Sequence, residues 1–139
     1  NSANKSLFIK EYAAVKAYRA WTYLQLALNY GKVPFYTKPI TTKEQAEAKY
    51  PEKDIVDLCN TLVADIAPLA EVEMPGLGNI GITDSRMLYF PIYVLLGDLN
   101  LWAGNYKEAA RAYYKYITTA NGSNSYFPIT SRSVMWIYR

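Results

Sequence analysis

Three carboxylates, Asp54, Asp57 and Asp65, are the side chains in this sequence whose type and spacing could support catalysis. Hydrolysis of a glycosidic bond needs two carboxyl groups held a few ångströms to either side of that bond. All three residues fall on one expected helix, opposite its apolar stripe, which is typical of a solvated helix face. We therefore expect surface residues and no enzymatic activity.

Composition limits the remaining chemistry. The sequence has no histidine and one cysteine, Cys59, which excludes histidine acid/base catalysis, an intrachain disulfide and a Cys/His zinc site. We expect Cys59 to be a buried helix residue, and we expect no cofactor and no metal. The formal net charge of +3, from 15 basic and 12 acidic side chains, is too balanced for a surface that binds nucleic acid.

Aromatic residues are in excess, with 14 Tyr, 3 Trp and 4 Phe making up 15% of the chain. Tyrosine combines an apolar ring with a polar hydroxyl, so it suits either helix packing or stacking against sugars and peptides. Both interpretations stay open for Tyr36 and Tyr50, with packing the one that aromatic residues usually serve.

Apolar periodicity predicts the elements that position these side chains. Residues 5–30 contain neither Gly nor Pro and predict one long helix, with Gly31 at its end. We expect its buried face to contain Ala14, Ala17, Trp21, Leu24 and Leu28. The connection NYGKVPFYTKP that follows should be held extended by Pro34 and Pro39. Its Val33 and Phe35 are expected to cover the end of the helical stack.

A second helix is expected from Pro51, because proline is harmless in the first turn and Glu52 and Asp54 favour the helix dipole there. Its buried stripe is predicted to be Ile55, Leu58, Leu62, Ile66 and Leu69, with Pro68 breaking the last turn. Residues 71–81 are rich in Gly and Pro and predict an exposed loop without strands.

Two further helices are expected between residues 85 and 120. Asp84 or Ser85 can cap the third helix, which either starts near Phe90 or bends at Pro91. Gly104 and Asn105 then make a tight turn into a fourth helix. Leu96, Gly97, Gly104, Tyr106, Ala109 and Tyr113 have the spacings of a tetratricopeptide repeat. Gly97 and Ala109 would let the helices approach closely, and Tyr106 and Tyr113 would fill the neighbouring holes.

Taken together, residues 11–126 resemble the SusD/RagB family of outer-membrane glycan-binding lipoproteins. Three segments carry the resemblance, and they are RAWTYLQLALNYGKVPFYTKPITT, KDIVDLCNTLVADIAPL and SRMLYFPIYVLLGDLNLWAGNYKEAARAYYKYI. The family implies an all-α fold of tetratricopeptide-like, antiparallel helix pairs. We expect one helical fragment of a longer protein, with a helix pair at about residues 5–70, a linker at about 71–84, a second pair at about 85–120 and an irregular tail at 121–139.

The resemblance implies a surface-exposed protein of the outer membrane that binds an oligosaccharide without cleaving it. Its implied partner is a SusC-like TonB-dependent transporter, and its implied anchor is an N-terminal lipid that this chain does not carry. Tyr126 and Trp136, in the expected tail, are the candidate carbohydrate-binding residues. One alternative is a helical repeat module that binds a protein or peptide. A weaker alternative is an α-helical carbohydrate enzyme.

Overall fold

A computed structural model describes residues 8–120 of the chain, and this part is mostly helical. The helices are α1 (Ile9–Tyr30), α2 (Lys43–Glu47), α3 (Ile55–Ile66), α4 (Ile92–Trp102) and α5 (Tyr106–Ala120). Two-residue strands β1 (Val33–Pro34) and β2 (Glu52–Lys53) form one antiparallel ladder, and β3 (Asn79–Ile80) and β4 (Thr83–Asp84) form another. The prediction of a mainly helical chain is confirmed.

Helix α4 lies at the centre of the packing, because it contacts α1, α3 and α5. The core fills the space between α1, α3 and α4. Its fully buried large side chains are Leu58, Leu62, Ile66 and Leu99, beside the Cys59 thiol. Burial raises the pKa of Cys59 to about 11, so the thiol is neutral at physiological pH. The expected burial of Cys59 is confirmed.

Helix α1 buries a face rich in small residues. Its buried residues are Ala13, Ala14, Ala17, Ala20, Tyr23, Leu24 and Ala27. Trp21 stays 39% exposed and Leu28 is similarly exposed, so the prediction that both lie in the buried stripe is wrong. Alanine side chains are small, so they let helix backbones approach closely. The buried face of α1 therefore contains its alanines and lies beside the face that Trp21 and Leu28 had indicated. The Trp21 ring instead stacks on Phe90, with ring centroids 5.0 Å apart.

Helix α3 begins four residues later than predicted. The Asp54 side chain caps it by accepting a hydrogen bond from the Asp57 amide at 2.9 Å. The residues before the cap are occupied elsewhere, since the Pro51 carbonyl accepts from the Phe35 amide at 2.9 Å and β2 pairs with β1. The predicted stripe is confirmed from Leu58 to Leu69.

Two short strands lie in the segment between α3 and α4, so the prediction that residues 71–81 form a loop without strands is wrong. Strands β3 and β4 form a small hairpin whose loop contains Gly81 at φ 63°. The Asp84 side chain then accepts from the Arg86 amide and begins a 3-10 turn at Ser85–Leu88. Glu73 pairs with Lys10 at 2.6 Å and with Arg86 at 3.1 Å. These ion pairs tie the segment to the start of α1.

Helices α4 and α5 form a hairpin. Helix α4 begins at Ile92, directly after Pro91, and Gly104 at φ 82° turns the chain into α5. The Tyr113 ring lies over Gly97, and its hydroxyl donates to the Asp98 carboxylate. Ala109 is buried as predicted. The prediction that Tyr106 fills a hole between the helices is wrong, because the first residue of α5 lies outside the helix contact and is 70% exposed.

Candidate functional site

An open cleft at the C-terminal end of α1 is the candidate site. Its volume is about 490 Å³, within the range of about 300–1,000 Å³ that small-molecule sites usually have. We call it the tyrosine cleft, and its lining residues are Arg19, Thr22, Tyr23, Leu26, Tyr30, Lys32, Val33, Pro34 and Tyr36. One wall is the last three turns of α1, and the other is the connection that follows.

A sharp reversal at Gly31 creates the cleft. Its φ of 78° is a left-handed conformation that glycine tolerates, and its amide donates to the Ala27 carbonyl at 2.9 Å. Val33 is then buried against the core and Pro34 pairs with Glu52 in the β1–β2 ladder. The chain therefore returns alongside α1 and leaves a gap between the two walls. The predicted roles of Gly31, as the helix end, and of Val33, as a covering residue, are confirmed.

The hydroxyl of Tyr23 holds the two walls together. It donates to the Tyr36 carbonyl at 2.9 Å and accepts from the Tyr36 amide at 3.3 Å. The Tyr23 ring is buried and lies 5.0 Å from the Phe35 ring. Because a buried residue of α1 bonds both backbone groups of Tyr36, the wall is held in position without a ligand.

Exposed tyrosine rings flank the opening. Tyr30 is 77% exposed at the end of α1. Tyr36 is partly exposed and packs on Tyr50, with ring centroids 4.8 Å apart, while the Tyr50 hydroxyl donates to the Gln45 carbonyl at 2.8 Å. Tyr50 is therefore a packing residue that supports Tyr36. Only Tyr36 of this pair lines the cleft.

Positive charge dominates the lining, because its ionised side chains are Arg19 and Lys32. Arg19 Nη2 donates to Asp65 Oδ2 at 2.5 Å, and Lys16 also donates to Asp65. Burial alone would raise the pKa of Asp65, but these two hydrogen bonds outweigh it and hold the pKa below its usual value. The prediction that Asp65 belongs to a solvated face is wrong, because its side chain joins α3 to α1.

One polar atom beside the cleft has no partner. Arg19 Nε is buried and makes no hydrogen bond within residues 8–120. The great majority of buried N–H groups in proteins have a hydrogen-bond partner, and leaving one unpaired costs about 1–3 kcal/mol. The Arg19 side chain is mostly buried, with one guanidinium nitrogen held by Asp65. Arg19 therefore keeps an N–H that is unpaired among the described residues, and this group is buried behind the lining of the tyrosine cleft.

The other two predicted carboxylates have structural partners. Asp54 caps α3, and Asp57 pairs with Lys53 at 2.8 Å on the surface. Among residues 8–120 no group of three or more His, Cys, Asp or Glu side chains could hold a metal ion. No helix within that range is long and apolar enough to cross a membrane.

A second depression of about 500 Å³ lies between α3, α4 and α5. Its charged side chains already face one another: Glu108 pairs with Arg111 at 2.6 Å, and Lys115 approaches Glu71 at 3.7 Å. Glu71 also accepts from the Tyr93 hydroxyl, and burial together with this carboxylate raises the pKa of Tyr93 to about 12. Since these polar groups bind each other, the depression offers fewer free contacts than the tyrosine cleft.

The predicted ligand residues, Tyr126 and Trp136, lie outside the described residues. Arg19, Thr22 and Tyr30 were not predicted as site residues. Their positions could have indicated a shared face, because residues 19, 22, 26 and 30 follow one another at helical spacing. The opposite wall of the cleft is formed by the connection after Gly31. The periodicity of α1 does not predict where that connection lies.

Comparison of this chain with protein-family models, with curated proteins and with solved structures gives no match.

Proposed function

We propose that this chain captures an oligosaccharide without cleaving it, and that the tyrosine cleft is where the sugar binds. The observation that carries the proposal is the prearranged wall of the cleft, in which the buried Tyr23 hydroxyl bonds both backbone groups of Tyr36. A site that is already ordered loses little entropy when a ligand enters.

The chemistry of the lining supports a sugar ligand. Tyr30 and Tyr36 present flat rings at the opening, and such rings suit the apolar C–H faces of a pyranose. The Thr22 hydroxyl donates to the Tyr18 carbonyl at 2.8 Å and still has lone pairs that accept from sugar hydroxyls. The nine lining residues contain no carboxylate, which favours capture over acid/base hydrolysis.

The family proposal rests on the three quoted segments and on the α4–α5 hairpin. The Tyr113 ring covers Gly97, the packing expected where helices of a tetratricopeptide-like pair cross. On this basis we propose a SusD/RagB-like protein at the outer-membrane surface, working with a TonB-dependent transporter in glycan uptake. The described part would then supply both a scaffold and one sugar contact.

Calorimetry with a panel of neutral and acidic oligosaccharides tests the proposal. We expect at least one saccharide to bind, no new reducing ends to form, and Tyr30→Ala or Tyr36→Ala to weaken binding about tenfold, equal to about 1.4 kcal/mol. Tyr106→Ala is the control matched to Tyr30, since Tyr106 is 70% exposed on α5, against 77% for Tyr30, but lines neither depression. Absence of binding to every saccharide, or release of reducing ends, would contradict glycan capture.

A different surface favours the alternative of a protein-binding helical module. Toward its N-terminal end α1 exposes Tyr12 and Val15, and the turn before α4 exposes Leu88, none of which lines the cleft. Exposed apolar side chains gathered on one face are typical of protein contacts. Val15 does not line the cleft, so Val15→Asp should leave saccharide binding unchanged if the cleft is the sugar site, and should weaken binding to a protein partner if the exposed apolar side chains are the functional surface.

A further inference from the structure

We infer that the tyrosine cleft selects acidic oligosaccharides, whose sugar rings carry a carboxylate, over neutral ones. The inference rests on the proposed function and specifies its ligand class. Two observations support it, concerning the charge of the lining and the flat rings at the opening.

The positive charge around the cleft is only partly compensated by acidic side chains. Lys32 is exposed at the rim and forms no ion pair within the described residues. Arg19 shares Asp65 with Lys16, so this group of two cations and one anion keeps a net charge of +1. Both charged members of the lining are therefore cations, and an anionic ligand would complete their pairing.

Arg19 contributes charge to the lining, and its Nε donor is itself buried. One guanidinium nitrogen is held by Asp65, while the buried Nε has no hydrogen-bond partner among residues 8–120. A guanidinium presents its N–H groups as a planar fork that matches two carboxylate oxygens. Since Nε has almost no accessible surface, a carboxylate in the cleft would be attracted by the charge of Arg19 and would bond Nε only if the side chain moved.

The aromatic rim favours an acidic sugar over an acidic peptide. A uronic acid residue has a flat C–H face and a carboxylate on the same ring, so a single unit can stack on a tyrosine and reach a cation. Tyr30 and Tyr36 flank the same cleft as Lys32 and Arg19. A flexible acidic peptide has no comparable rigid face and loses more conformational entropy on binding.

The test is calorimetry of the chain with four probes: trigalacturonic acid, its methyl ester, maltotriose and triglutamate. The methyl ester keeps the shape of the sugar and removes the charge. We expect trigalacturonic acid to bind about tenfold or more tighter than its ester, the loss expected when a hydrogen bond to a charged group is removed. Salt at about 0.5 M should reduce this preference.

Variants test whether the preference for the acid over its ester arises in the cleft. Lys32→Gln should reduce the ratio of acid to ester binding, whereas Lys38→Gln, an exposed change in the same connection outside the lining, should leave it unchanged. Arg19→Gln should reduce the ratio further. Because Arg19 also binds Asp65, its variant is interpreted only after its melting temperature shows that it is folded, and Lys32→Gln carries the test by itself.

Each outcome has a distinct meaning. Equal binding of acid and ester, or preference for maltotriose, overturns the charge selection and leaves glycan capture standing. Equal binding of triglutamate shows recognition of acidic peptides and overturns the selection of sugars. Failure of every saccharide to bind overturns the proposed function together with the inference drawn from it.

Discussion

Gly97 is the position where one methyl group should disturb the helical hairpin most. Helix α4 would gain about 1 kcal/mol from Gly97→Ala, because alanine has the higher helix propensity. However, the added methyl carbon would lie 2.6 Å from Cζ of Tyr113, well inside contact distance. The ring would have to move, and its hydroxyl would leave the Asp98 carboxylate.

The net effect follows from these opposing contributions. Overpacking of this kind costs about 1–3 kcal/mol, and loss of a hydrogen bond to a charged group about 1.5–3 kcal/mol. After the propensity gain is subtracted, Gly97→Ala should destabilise the chain by about 2 kcal/mol or more. In a Tyr113→Ala background the obstruction is gone, so the same change should stabilise by up to about 1 kcal/mol.

Urea unfolding of the wild type, both single variants and the double variant measures this difference as a double-mutant cycle. We expect a coupling energy of about 3 kcal/mol, the difference between the two backgrounds. If Gly97→Ala were neutral or stabilising in the wild-type background, Tyr113 would not lie over Gly97. The close packing of α4 and α5, and the repeat-like pairing proposed from it, would then be wrong.

Three further experiments test the surroundings of Trp21, Asp65 and Cys59. Trp21→Ala should lower the unfolding free energy by only about 1–2 kcal/mol, because Trp21 is 39% exposed and its ring stacks mainly on Phe90. A loss above about 3 kcal/mol would mean that the ring is buried. Asp65→Asn should cost about 1–2 kcal/mol at pH 7. The pKa of Asp65 is lower in the folded chain than its ordinary value of 3.8, so the ion pairs stabilise the chain fully above pH 3.8. As the pH falls through the folded pKa, this stabilisation is lost, and the denaturation curves of variant and wild type should converge. A gap that persists in acid would contradict this. A thiol reagent at pH 7 should modify Cys59 at least about a hundredfold more slowly in the folded chain than in urea, and equal rates would place the thiol at the surface.

Local patterns predicted most of the helices and several of their ends. Gly31 and Gly104 end or turn helices with positive φ, as their type and position indicate. The stripe from Leu58 to Leu69 is buried because its residues recur at helical spacing. These features depend on neighbours within about one or two helical turns, so one sequence is sufficient to infer them.

Other features depend on contacts between distant residues. Pro51 was a reasonable helix start by local rules, but the Phe35 amide binds its carbonyl and strand pairing draws Glu52 away from α3. Asp65 looked like a solvated carboxylate because its cationic partners lie 46 and 49 residues away on α1. No pattern along α3 contains that information.

The tyrosine cleft was missed for the same reason. Helix periodicity places Thr22 and Tyr30 on α1, but the cleft exists only because the connection after Gly31 folds back beside them. The bond from the Tyr23 hydroxyl to Tyr36 spans 13 residues across that turn. Pro34 and Pro39 indicate that the connection is rigid, and the structure adds which helix face it lies against.

Nuclear magnetic resonance of the chain during titration with an oligosaccharide that binds it tests the central claim most directly. If the tyrosine cleft captures the sugar, backbone amide shifts should change in residues 19–36 and the sugar should remain intact. Shifts confined to residues 93–115, around the second depression, or appearance of cleaved sugar during the titration, would contradict it.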